Sequence, residues 1–91
     1  MANLTEDQVV KVYSNGVADK YASYALKKVS GSDIADLSAD FKTVVVASVI
    51  TFTSQTQAGC TIPNAADPTV VIIPSGPSHD TGYLQAWGAS A

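Results

Sequence analysis

The chain predicts a mainly β fold, a small antiparallel β-sandwich or partly open barrel with a short N-terminal helix. Three observations carry this. Runs of β-branched and aromatic residues alternate with polar residues at a period of two, the spacing of a strand with one buried face. Gly, Pro, Asn and Asp punctuate the gaps between those runs, each suited to turns by its own backbone chemistry. The longest apolar run, residues 43–53, contains no Gly, Pro or charge.

The elements follow in order. Thr5 and Gln8 fit a capping box, and Leu4 with Val9 fits its hydrophobic staple, so a short helix is expected at the N-terminus. The alternative is a strand from Val9 to Tyr13, because VVKVY is β-branched and aromatic and Asn15-Gly16 is a strong hairpin signal. In YASYALKKV, residues 21–29, apolar positions 22, 24 and 26 read as the buried face of a strand, with a helix the alternative because Tyr21, Ala25 and Lys28 match a helical spacing. Ser30-Gly31-Ser32-Asp33 breaks that pattern. Ile34, Leu37 and Phe41 are expected anchors beyond it, with Asp36 or Ser38 capping one helical turn.

The run TVVVASVITFT places 44, 46, 50 and 52 on one face and 45, 47 and 49 on the other. A strand apolar on both faces is normally held between layers, so one cover comes from a second sheet or from another molecule. The polar run at 54–68 has a short strand expected at Thr61-Ile62. TVVII, 69–73, is a second buried strand, and GYLQAWG closes the domain with Tyr83, Gln85 and Trp87 opposite Leu84 and Ala86. The organisation expected is an N-terminal segment at 1–20, a β-rich domain at 21–88 and a frayed tail at 89–91.

Bulk properties narrow the function. A chain of 91 residues is one domain that buries little more than ~60% of its unfolded surface. Charged residues are 14% of the chain, against ~25% in an average domain, which suggests that part of the surface is covered by something else. Net charge is −3 and the five basic residues are all lysine, so the clustered cations that neutralise nucleic-acid phosphates are missing. No apolar run approaches the ~20 residues of a membrane span. The acidic start MANLTEDQVV lacks the basic region and long apolar core of a signal peptide; synthesis in a cytoplasm without export is expected. Cys60 is the single cysteine, and a buried, inert thiol is its expected state.

The stretch SGPSHDTGY sets Ser78, the one histidine His79 and Asp80 side by side. A Ser-His-Asp triad needs serine at one imidazole nitrogen and aspartate at the other, whereas successive side chains on extended backbone diverge. A turn is the expected role, and no enzyme activity is expected. His79 and Cys60 lie nineteen positions apart, and Asp33, Asp36 and Asp40 lack the glycine and closing glutamate of a calcium loop. No metal or other cofactor is expected. Tyr13, Tyr21, Tyr24, Tyr83 and Trp87 read either as a contact set or as core and rim, since interfaces enrich such rings.

The order of segments carries one further signal. The strand YALKKV, the segment SGSDIADLSADFK, the strand TVVVASVI, a polar hairpin region and the closing TVVIIPSG…HDTGYLQAWG resemble a group of short virion proteins of tailed bacteriophages. The likeness spans roughly residues 24–88 and rests on the D-x-x-D-L-S…F segment, the strand and turn TVVIIPSG, and the D-x-G-Y-L last strand. It implies a structural protein of the virion, best a decoration (cement) protein on the capsid exterior that binds the major capsid protein and stabilises the assembled head. A homo-oligomer, dimer or trimer, is expected, with no nucleic acid and no membrane as partner. Tyr83, Trp87, Tyr24 and Tyr21 are the candidate interface residues, with Trp87 the foremost anchor. The alternatives are a tail or baseplate component and a surface adhesion module that binds through loops such as SGPSHDTG.

Overall fold

Residues 9 onward begin as a strand, and the reason lies in a competition within ten residues. In this computed structural model, which describes residues 3–53, 55–63, 66 and 68–91, one half of the capping box forms. The Thr5 N–H donates to Gln8 Oε1 at 3.2 Å and the Gln8 N–H donates to the Thr5 carbonyl at 3.0 Å. One turn follows and then ends. Val9, Val10, Val12 and Tyr13 favour extended backbone, and the Gln8 amide donates to the carbonyls of Lys27 and Lys28, which ties the turn to a neighbouring strand. The short N-terminal helix expected from the sequence is therefore absent, and β1 (Val9–Asn15) takes its place.

Six further strands complete the described chain: β2 (Lys20–Val29), β3 (Ile34–Asp36), β4 (Phe41–Thr51), β5 (Ala58–Gly59), β6 (Val70–Ile72) and β7 (Asp80–Ser90). They form a five-stranded antiparallel sheet in the order β1-β2-β7-β4-β5 and a two-stranded antiparallel ribbon, β3-β6. The sheet ends at β1 and β5 without joining them, so no closed barrel forms. The β1–β2 hairpin turns at Gly16, as the Asn-Gly pair predicts. Its φ is 96° and a Cβ there would collide with the Asp19 carbonyl, so only glycine fits.

The inner face of the sheet carries Ala22, Tyr24 and Leu26 of β2, Leu84 and Ala86 of β7, and Phe41, Val44, Ala47 and Val49 of β4, all buried. Ala35, Leu37, Val71 and Ile73, in and beside the ribbon, join the same core. β4 departs from the expected two faces. Register shifts between Phe41 and Thr43 and between Val44 and Val46 insert an extra residue each time, as β-bulges do. Val44 therefore points inward while Val46 points outward, and Val45 is left exposed at the bulge. The tail expected at 89–91 is paired as far as Ser90, and the Ala91 N–H reaches the Asp40 carbonyl.

Candidate binding face

Cross-strand partners share a face of the sheet, so the register lists what the outer face presents. One row runs Asn15, Tyr21, Trp87, Val46; the next runs Tyr13, Ser23, Gln85, Ser48; the third runs Val10, Ala25, Tyr83, Ile50. None of these positions is charged. The first and third rows are largely apolar, and the middle row is hydroxyl and amide. The Gln57 amide donates to Ser48 Oγ at 2.6 Å and to Gln85 Oε1 at 3.1 Å, holding that row together.

Aromatic rings gather at both ends of the face. Tyr13 and Tyr21 have centroids 6.1 Å apart, Tyr21 and Trp87 5.2 Å, and Phe52 and Tyr83 6.5 Å, with planes tilted by about 50° in each pair. Trp87 remains 38% exposed and Tyr83 47%, so both are open to a partner. Of the four expected interface residues, Tyr83, Trp87 and Tyr21 lie on this face. Tyr24 does not. It is 2% exposed on the inner face, because its place beside Ala22 and Leu26 in the period of two turns it to the core. The sequence set Gln85 between Tyr83 and Trp87 and put Val46, Ile50 and Phe52 on one face of their own run; only the pairing of β4 with β7 brings those two sets together.

Tyr24 instead anchors a polar cluster at the edge of the core. Its phenol donates to Asp40 Oδ2 at 2.9 Å, and Lys11 Nζ donates to Asp40 Oδ1 at 2.9 Å. Burial foremost, then the Asp40 carboxylate, pushes the Tyr24 phenol above its ordinary range.

The Ser-His-Asp stretch is a turn. His79 has φ 49° and its backbone N–H donates to Ser30 Oγ. Asp80 accepts the N–H groups of Thr53 and Thr81. Partial burial pulls the Asp80 carboxyl up, but these N–H groups and the Thr51 and Thr53 hydroxyls outweigh it and hold the carboxyl below its ordinary range. Ser75, Ser78 and Asp80 line a cleft of about 360 Å³ between this loop and the end of β4, and His79 is not among the described residues that line it.

The three clustered aspartates serve the backbone and the core edge. Asp33 accepts the Ser30 N–H, Asp36 the Ser38 N–H, and Asp40 the bonds given above. Among the described residues no group of three or more His, Cys, Asp or Glu is placed to hold a metal ion.

Cys60 is half-buried against the core, and burial pushes its thiol up to about 11. Since the thiolate is the nucleophile, a disulfide-exchange reagent should label native protein slowly at neutral pH and much faster in denaturant. Labelling at equal rates in both would contradict the burial. Comparison with known protein families, with curated proteins and with solved structures finds no match to this chain.

Proposed function

We propose that this protein is a virion structural protein of a tailed bacteriophage, a decoration protein that binds the assembled capsid from outside and stabilises it. The two layers make a small antiparallel sandwich whose ribbon covers one side of the main sheet. The observation that carries the reading is the other side, an uncharged face with two largely apolar rows and no covering layer among the described residues. Exposed apolar patches of several hundred Å² mark surfaces meant to be covered, and a protein whose work is assembly has a use for one. The resemblance over residues 24–88 supplies the kind of assembly, and the major capsid protein is the partner it implies.

The test is addition of purified protein to capsid shells that lack it. Co-sedimentation is expected, together with a higher temperature of shell disruption, since a ligand of the assembled state stabilises that state. Protein that stays in the supernatant and leaves the shells unchanged would overturn the reading. Immunolabelling of intact particles assigns it to the head; label on the tail or baseplate would move it there.

A further inference from the structure

We infer that the outer face of the five-stranded sheet is closed by a second copy of this chain, stacked face to face about a two-fold axis along the row Ser23–Gln85–Ser48. The inference rests on the assembly reading above and names what first covers the face.

The pattern of rows is the argument. A two-fold axis in the plane between two sheets, parallel to the middle row, lays that row on itself and the first row of one copy on the third row of the other. Trp87 then meets Tyr83 of the second copy, Tyr21 meets its Ala25, and Val46 meets its Ile50. Large opposes small at Tyr21 and Ala25, which is how facing layers interdigitate. Gln85 meets Gln85, and an amide is both donor and acceptor, so the polar row is its own complement. Two-fold interfaces require this self-complementarity. Aligned stacking of twisted sheets about ~10 Å apart provides the geometry.

Charge and area agree. The net charge of −3 sits off the paired outward positions, so closure buries no unpaired ion. A standard interface removes ~800 Å² from each partner, roughly 15% of this chain's 5192 Å² of accessible surface. At ~200 Å² per aromatic side chain, the exposed parts of Tyr13, Phe52, Tyr83 and Trp87 alone come to ~400 Å², and Val10, Val46, Ile50 and the middle row add to it. A glycan fits less well. Rings tilted by about 50° to one another make no flat platform for sugars, and aliphatic side chains offer no stacking plane. A dimer also carries two copies of whatever surface meets the shell, and linked contacts bind far more tightly than single ones.

The experiment is light scattering on the full chain across a dilution series. The expected mass is twice the chain's 9.4 kDa. Gln85→Lys sets two cations against each other on the axis and should weaken the dimer by ~100-fold or more, as juxtaposed like charges do, with the far-UV circular dichroism unchanged. Mixing Gln85→Lys with Gln85→Glu should restore a dimer of one copy of each, which a folding defect would not allow. Ser23→Lys, on the same row, substitutes if Gln85→Lys does not fold. A wild-type chain monomeric at every concentration overturns the inference, as does a Gln85→Lys dimer of undiminished strength. A monomer that still binds shells would sink the dimer and leave the decoration reading standing, and a dimer indifferent to shells would do the reverse. Retention of a monomer on a neutral polysaccharide matrix would hand the face to a glycan and end the inference.

Discussion

Phe41→Ala is expected to lower the stability of the fold by about 3–5 kcal/mol, the range for deleting a buried phenylalanine. Phe41 is fully buried where β4 begins, and three contacts depend on its place. Its N–H donates to the Leu37 carbonyl at 2.9 Å, its backbone pairs with Ser90, and the Lys20 ammonium lies 5.7 Å from its ring centroid. Alanine keeps the two backbone contacts, so the loss comes from the ring and the hole it leaves in the core. A domain of this size holds a total of about 5–14 kcal/mol, so the loss is a large share. Thermal unfolding should move down by at least ~12 °C, and urea titration should show a lower midpoint at an unchanged slope. A loss below ~1 kcal/mol, the level of an ordinary substitution, would mean that Phe41 is not the core residue described.

Asp40→Ala comes next, at about 2–3 kcal/mol, the scale of a hydrogen bond to a charged group together with the buried partner it leaves unsatisfied. The phenol of Tyr24 loses its charged acceptor and is left facing the cleft that it lines with Lys11. The Lys11 ion pair adds little, since Lys11 is half exposed and exposed pairs contribute ~0–1 kcal/mol. Tyr24→Phe in both backgrounds closes a double-mutant cycle that isolates the phenol–carboxylate term. An additive cycle would deny the bond.

The same cluster sets a pH dependence of definite sign. Burial pulls the Asp40 carboxyl up, but hydrogen bonds from Lys11 and Tyr24 and the charges of Lys11 and Lys20 outweigh it, so the folded state holds this group below its ordinary range. Its contribution is present above the unfolded value of ~3.9 and is lost as pH falls through the lower folded value. Asp40→Ala should therefore flatten the acid limb of the stability curve below pH ~4. Tyr24 works in the opposite direction. Its phenol is raised in the folded state, so wild-type stability should fall as pH climbs past the unfolded value of ~10.

Much of this was legible from local pattern. The alternation in YASYALKKV put Ala22, Tyr24 and Leu26 inside, and the same rule separated Leu84 and Ala86 from Tyr83, Gln85 and Trp87. Two features resisted it. The helix at the N-terminus failed because one capping box competes with a run of β-branched residues that gains a partner strand. The faces of β4 were misread between Val44 and Val46 because a bulge adds a residue that periodicity does not count.

By itself the sequence determined that the protein is β, which side chains share a face within most strands, and that the chain as a whole carries little charge. Those are properties of residue type and of a period of two, and both are local. Tertiary structure decided the rest. Placing β7 between β2 and β4 aligned Tyr21, Trp87 and Val46 into one row, and the β3–β6 ribbon joined the core on one side of the sheet, with no layer over the other among the described residues. Strand order and cover are settled by which pairings bury the most apolar surface over the whole chain, a sum that no local segment contains.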